Sequence, residues 1–244
     1  MSVNTPEAAT PDENQTTRRP EVILGSASPA RLAVLRGAGL SPRVIVSDVD
    51  EDSVLDGLAG APADEVVLRL AMAKADAVVA AVLTERADAA PSGTDAPTGD
   101  RGLVPDAIVL TCDSMLLFRG SLTGKPHTKA NATAQWRKVR GQSAQLLTGH
   151  QVTVLSGLEV VGSAGETTST TIDFANASDT EIDAYVDTGE PLSVAGGFTL
   201  DGLGGWFIDG IDGDPSSVLG IGLPTVRRLL NRLRIPVATL WDPA

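Results

Sequence analysis

The chain has 244 residues, of which 42% are hydrophobic, enough for one large α/β domain or two small ones. Its net charge of −12, from 31 acidic and 19 basic residues, argues against a nucleic-acid polymer or an anionic membrane as the main partner, though not against one nucleotide in a local basic pocket. Aromatic residues make up only 3%, which leaves no stacking platform for single strands. The lone cysteine, Cys112, excludes a disulfide framework within the chain. With a polar beginning and no apolar run of membrane length, a cytoplasmic protein is expected.

Residues 1–20 are polar and proline-containing and read as a disordered tail. Val22 to Leu24 is a short apolar run that predicts a buried strand, broken by Gly25 and Ser26. Ser28 suits a helix N-cap and Pro29 the first helical position, with Leu32, Leu35 and Ala38 following at helical spacing. A strand, a small-residue loop and a helix in succession present free backbone N–H groups and a positive helix end, which suits an anion. Arg31, in the first turn, runs against the dipole preference for acids there, unless a phosphate or carboxylate joins it. A plain strand-to-helix turn with a surface arginine is the competing reading.

Arg43 to Val46 predicts a second strand, running into the acidic stretch Ser47-Asp-Val-Asp-Glu-Asp52. That stretch is either a solvated turn or a metal-binding or base carboxylate at a strand end. Residues 62–83 predict a helix in which Lys74, four residues from both Leu70 and Val78, shares the apolar stripe. Such a lysine either snorkels to the rim or needs an anionic partner. Residues 85–106, rich in Ala, Asp, Gly, Pro and Thr, predict a flexible insertion.

Ala107 to Cys112 predicts a buried strand ending at Asp113, with a second strand at Met115 to Phe118 and a turn at Arg119-Gly-Ser121. Gly124-Lys125-Pro126 then fixes a lysine between two punctuating residues. An acid at a strand end with a rigid lysine is an active-site pattern of open α/β sheets, and also an ordinary surface turn. A helix carrying Ala130, Ala134 and Trp136 follows, then antiparallel strands at Leu146 to Leu155 and Glu159 to Val161, and a β-prone stretch at Thr167 to Phe174. Ser178-Asp-Thr-Glu181 is a capping box that opens a helix. Residues 189–202 hold too many glycines for a regular element and predict a close-packed loop. Trp206 to Ile208 predicts a strand, Asp212 to Ser217 an acidic turn, and Leu223-Pro224 the start of a last helix with solvated arginines.

Neither His127 nor His150 pairs in sequence with a nucleophile, and no metal-finger, Walker-type or nucleophile-elbow motif is present. What remains is a polar set: Ser26, Ser28, Arg31, Glu51, Lys74, Asp113 and Lys125. Three cations with backbone amides suit a polyphosphate, and two carboxylates suit a divalent metal and a base. Together they point to phosphoanhydride hydrolysis, where positioning and charge neutralisation do most of the catalysis.

The order of these pieces resembles the Maf nucleoside triphosphate pyrophosphatases, in a branch similar to the actinobacterial members. The resemblance rests on Ser26-Ala-Ser-Pro-Ala-Arg31, Asp48-Val-Asp-Glu51, Ala71-Met-Ala-Lys74-Ala75, Thr111-Cys-Asp113-Ser114 and Lys125-Pro126, and then on Thr148-Gly149, Tyr185 to Pro191, Ala195-Gly196, Ile211 to Asp214 and Gly222 to Pro224. It covers residues 21–234. It implies one α/β domain over residues 21–244, a mixed twisted sheet flanked by helices with two lobes around a cleft, similar to the Maf and inosine-triphosphatase-like fold. It implies conversion of a nucleoside triphosphate, in some members a modified one, to monophosphate and pyrophosphate with a divalent cation (Mg, Mn or Co), and leaves a homodimer open. By the same resemblance Asp113 is the proton acceptor and a metal ligand, and Glu51 is its partner at the metal. Ser26, Ser28, Arg31, Lys74 and Lys125 hold the phosphates. Departures from the family pattern fall at Ala30, in place of an arginine, and at Ser114 and Asp201, where pyrimidine-selective members carry threonine and glutamine. Those three bear on the choice of base. The rival reading is a nucleotide-binding regulator of cell division with little or no turnover. A phosphosugar-binding protein would explain Arg31 but not the two carboxylates.

Overall fold

The computed structural model describes residues 19–89 and 105–243. The expected tail therefore lies outside the described residues up to residue 18, as does most of the expected insertion. The apolar run Val22–Leu24 forms β1 (Glu21–Leu24), buried as its composition requires. Helix α1 (Pro29–Gly37) follows, with Ser28 as N-cap and Pro29 at its first position. β1 pairs in parallel with β2 (Arg43–Val44), a shorter strand than expected, because regular pairing stops at Val44 and only the Ile45 N–H reaches on to the Leu24 carbonyl at 3.1 Å. The acidic stretch becomes a helix start: Asp50 caps α2 (Glu51–Asp56) by accepting the Ser53 N–H at 3.1 Å. Glu51 thus sits in a first helical turn, where an acid suits the dipole, and not at a strand end.

Helix α3 (Ala63–Ala89) is longer than the apolar periodicity suggests. Its last turns are held by charge: Glu85 pairs with Arg43, and Arg86 reaches Asp106 at 2.9 Å and the Gly157 carbonyl at 2.6 Å. The first five positions of the expected insertion, 85–89, are therefore helical.

β3 (Ala107–Phe118) corrects the expectation of two strands flanking Asp113. Nothing between Thr111 and Met115 breaks the chain, and β3 pairs continuously from Ala107 to Leu117 with a later strand, so Asp113 lies within β3 opposite Gly149. What ends is the neighbour. β1 stops at Leu24, opposite Leu110, and the short β4 (Ser121–Thr123) begins pairing only opposite Leu116. Between those points one edge of β3 is open, and the sheet has a notch there.

After α4 (Lys129–Val139) the chain forms a long hairpin, β5 (Ser143–Ser156) and β6 (Glu159–Phe174), antiparallel throughout. The capping box at Ser178 and Glu181 opens α5 (Asp179–Asp187) as its residues predict. A strand over Trp206 to Ile208 is not formed. Leu203–Phe207 is a 3-10 turn and β7 (Ile208–Asp212) starts after it. Trp206 is 84% exposed, so its apolar ring gives a strand nothing to bury. Asp214 caps α6 (Pro215–Val218), and Gly222 precedes α7 (Leu223–Arg232). Two arginines of α7, Arg228 and Arg232, reach Glu166 at 2.6 Å each and are not simply solvated. The sheet order is β2-β1-β3-β5-β6-β7, with β4 added to β3.

Side-chain alternation along β3 and β5 divides the molecule. On one face, Ile108, Leu110, Cys112, Val152 and Val154 pack with α1 and α7 into one apolar cluster. Further along the same face, Leu116, Ala144 and Leu146 pack with α4 and α5 into another, built around Trp136 with Phe174, Tyr185 and Phe207 at ring distances of 5.4–5.8 Å. Between the clusters the face turns polar, with Ser114, Thr148, His150 and Thr170 all buried. That polar belt is the boundary between the lobes. The other face carries α3, whose Val78, Val79 and Val82 pack on Ile23, Val109 and Leu155. Gly149 permits this approach: a Cβ there would stand 2.3 Å from the Val67 carbonyl oxygen.

Candidate active site

A cleft of about 520 Å³ opens at the notch beside β3. Every residue singled out in the sequence, from Ser26 to Asp201, lines it. Four parts of the fold bring them together: the loop from β1 into α1, the start of α2 with the middle of α3, the open stretch of β3 that carries Asp113 and Ser114, and the segments after β4 and before the 3-10 turn at Leu203.

Lys74 settles the choice between rim and partner that its place on the stripe left open. It is buried, and its Nζ lies 2.5 Å from Asp113 Oδ1 and 2.9 Å from Glu51 Oε1. Asp113 is likewise buried, whereas Glu51 is partly open to the cleft. Burial pushes the Glu51 carboxyl up. The hydrogen bond and charge of Lys74, with the charges of Lys125 and Arg31, outweigh this and hold it below the ordinary carboxylate value. One ammonium therefore serves two carboxylates, and Asp113 Oδ2 and Glu51 Oε2 have no hydrogen-bond partner among the described residues.

The loop before α1 is organised from within. Ser26 Oγ accepts the Ser28 N–H at 3.2 Å and an Arg31 Nη1 hydrogen bond at 3.0 Å, and Ser28 Oγ accepts the Arg31 N–H at 3.4 Å. Arg31 also donates from Nε to the Gly220 carbonyl at 2.9 Å. The guanidinium is thereby fixed between α1 and the turn after α6, with Nη2 left without a partner among the described residues. Lys125 is exposed, follows Gly124 and precedes a buried Pro126, and has no ion pair among the described residues.

The three positions that depart from the family pattern have different surroundings. Ser114 is 8% exposed and its hydroxyl shares a 3.0 Å hydrogen bond with Thr148 Oγ1, so its contact with the cleft is limited. Ala30 is half-buried in the first turn of α1. Asp201 is exposed, on the wall formed by Thr199, Leu200 and Asp201.

Two supporting arrangements were not legible as such in the sequence. His150 is buried beneath the site, sharing a 3.0 Å hydrogen bond with the Thr148 carbonyl through Nδ1 and accepting the Gly222 N–H at Nε2, 2.8 Å away. An acceptor at Nε2 places the proton on Nδ1. Burial drives its pKa down to about 4, so the ring is neutral at pH 7. It ties β5 to the turn whose Gly220 carbonyl holds Arg31. The second arrangement is Glu190, which accepts hydrogen bonds from Tyr185 and from residues 199–204. The signals available were the family-like runs Thr148-Gly149, Tyr185 to Pro191 and Gly222 to Pro224, to which no role could be attached without knowing which groups meet in space.

A mixed sheet with a notch, a small-residue loop at a helix start, three cations and two carboxylates meet at one cleft, an arrangement that suits a polyphosphate. The model of the Maf-like protein family matches residues 21–233, and the chain belongs to that family. It is 51% identical to a nucleoside triphosphate pyrophosphatase of Rhodococcus jostii over 90% of this chain and 95% of that one. It is 52% identical to proteins of the same name from Nocardia farcinica, over 90% of this chain and 96% of the relative, and from Mycolicibacterium smegmatis, over 91% and 97%.

Proposed function

We propose that the chain is a nucleoside triphosphate pyrophosphatase: water attacks the α-phosphorus of a nucleoside triphosphate, the bond from that phosphorus to the bridging oxygen breaks, and a nucleoside monophosphate and pyrophosphate leave. The observation that carries this reading is the cluster of buried Lys74, buried Asp113 and partly open Glu51 at the floor of a cleft also lined by Arg31 and Lys125. The names of relatives at about half identity over nearly their whole length support it. A regulator that only binds nucleotide needs the cations but has no use for two carboxylates at the same point.

Arg31, Lys74, Lys125 and the amides of Ser26, Ala27 and Ala30 hold the triphosphate, with Ser26 and Ser28 setting the loop's shape. As phosphate oxygens arrive, Lys74 gains a second class of anion to pair with and its hold on Asp113 loosens. Asp113 then accepts the proton of the attacking water. Glu51 and Asp113 also fit a divalent cation of the magnesium kind, which takes one or two carboxylates and completes its shell with water and substrate phosphates. No third acidic, histidine or cysteine side chain joins them among the described residues, which suits an ion that arrives with substrate better than a permanent protein cage. Such an ion would supply neutralisation of charge developing on the leaving pyrophosphate. No helix among the described residues is long and apolar enough to cross a membrane.

The test is a panel of common and modified nucleoside triphosphates with magnesium, manganese or cobalt, scored for pyrophosphate against orthophosphate. Equimolar monophosphate and pyrophosphate are expected. Orthophosphate as the first product, or no turnover of any nucleotide, would overturn the reading.

A further inference from the structure

Glu190 lies outside the catalytic group and accepts four hydrogen bonds, and no role has been attached to it. It follows Gly189, which has a positive φ of 79°, and opens the 3-10 turn Glu190–Ser193. Its Oε1 accepts the Tyr185 hydroxyl at 3.1 Å, the Gly204 N–H at 3.0 Å and the Thr199 hydroxyl, and its Oε2 accepts the Leu203 N–H at 3.1 Å. No cation pairs with it among the described residues, so four neutral donors surround one charge. All but Tyr185 belong to residues 199–204.

The loop is drawn in around this carboxylate. A Cβ at Gly202 would stand 2.8 Å from Glu190 Oε1, and one at Gly204 would stand 2.6 Å from the Tyr185 hydroxyl. The two glycines allow the backbone to come close enough for its N–H groups to reach the carboxylate. Glu190 itself does not line the cleft, but Thr199, Leu200 and Asp201 of the loop it holds do. That wall carries no cation. The cations lie on α1, on α3 and at Lys125. The cationic lining suits the phosphates, which leaves the wall shaped by the loop for the nucleoside.

We propose that Glu190 is a positioning residue for recognition of the nucleoside: it fixes the 199–204 loop against the cleft and acts on the base and sugar, not on the phosphates. The proposal rests on the nucleotide reading given above. Four donors arranged for an acceptor-only group make the carboxylate necessary, since an amide would turn an N–H2 toward at least one of them.

Glu190→Gln, with Tyr185→Phe as the milder variant that removes one donor and leaves the carboxylate, separates the loop wall from the cationic lining. Calorimetry measures binding of a nucleotide with a non-hydrolysable α–β bridge and of inorganic tripolyphosphate, which has no nucleoside, and kinetics give KM, kcat and the ratio of kcat/KM between the best and worst bases. Glu190→Gln is expected to weaken nucleotide binding and raise KM roughly 10-fold, the size of one or two lost hydrogen bonds, and to shrink the base ratio. Tripolyphosphate binding should stay within about twofold and kcat within about threefold, since the cationic lining is kept. Tyr185→Phe should shift KM and base ratio the same way by a smaller factor, and it decides the matter alone if Glu190→Gln does not fold. A purely structural role would weaken tripolyphosphate and nucleotide by the same factor. That result, unchanged KM and base ratio in the folded variants, or a wild type that fails to bind tripolyphosphate would overturn the proposal. Absence of turnover in the wild type would instead remove the pyrophosphatase reading, and the two binding measurements would still judge Glu190.

Discussion

Lys74 Nζ lies 2.5 Å from Asp113 Oδ1 at the cleft floor, and Glu51, at the start of α2, shares the same Nζ at 2.9 Å. In the absence of substrate this lysine is the counter-charge that lets two carboxylates stand side by side. Its apolar-stripe position alone suggests that Lys74→Met would be harmless or even stabilising. The geometry reverses that expectation.

Lys74→Met should lower stability near neutral pH by about 1–3 kcal/mol, below the usual cost of breaking a buried pair because Glu51 is partly open to solvent. The folded pKa of Glu51 lies below its ordinary value of 4.5, so the unfolded state binds more protons near that value. The stabilisation from this pairing is therefore complete above pH 4.5 and is lost as pH falls through the lowered folded value. Melting of wild type and variant should differ most at pH 7 and converge below pH 4.5. The melting-temperature rise produced by nucleotide should also largely disappear, and a rise equal to that of wild type would remove Lys74 from phosphate binding.

Asp113→Asn keeps the shape of the side chain, and Lys74 keeps Glu51 as its partner. The fold and nucleotide binding should survive, while turnover should fall by roughly the 10²–10⁴-fold typical of a lost general base. Near-normal turnover in this variant would mean that another group takes the proton.

His150 gives the protein a pH dependence separate from catalysis. Its folded pKa is about 4 against an ordinary 6.5, so the unfolded chain binds the extra proton between those values. Its contribution is thus complete above pH 6.5 and declines as pH falls toward 4, by on the order of 3 kcal/mol in total. Protonation would also turn Nε2 from an acceptor into a donor facing the Gly222 N–H. His150→Gln should be less stable at pH 7 and show a flatter stability profile between pH 6.5 and 4, measured by denaturant melts at each pH. An unchanged slope would assign the acid sensitivity to other groups.

Asp201 concerns the choice of base. An ionised carboxylate only accepts hydrogen bonds, whereas glutamine also donates. Facing the oxygens of uracil or thymine, a carboxylate meets acceptors with an acceptor, a mismatch of about 1–3 kcal/mol when water is excluded. Asp201 is exposed in the free protein, so the effect should lie toward the lower end. Asp201→Gln should raise UTP hydrolysis relative to CTP and GTP. An unchanged ratio would move the search for base selection to Ala30 and the buried Ser114.

What the sequence makes legible here is what neighbouring residues decide among themselves. The Ser28 cap, the Ser178 capping box and the β5–β6 hairpin all follow from adjacent residue types, and the ordered motifs point to the family and to the residues that meet in the cleft. What stays hidden depends on partners far along the chain. Asp113 reads as a strand end because acids are common there, yet it is β1, almost a hundred residues earlier, that ends beside it. Lys74 reads as either buried or snorkelling, and only the convergence of α2, α3 and β3 chooses. Trp206 reads as a strand residue because its ring is apolar, while Glu190 draws the preceding residues into a tight turn that leaves the ring in solvent. Glu190 and His150 could not be assigned at all, because their donors come from loops whose path no local rule fixes.

The continuity of β3, β5 and β6 past the polar belt has a mechanical consequence. The lobes are joined by three uninterrupted strands, not by linkers, so neither has a flexible joint on which to swing. Widening of the cleft must come from twisting of the sheet or from movement of the loops at its rim, and the apolar clusters on either side share the same strands. Heating should melt both together, as one calorimetric transition whose measured enthalpy equals the van't Hoff value.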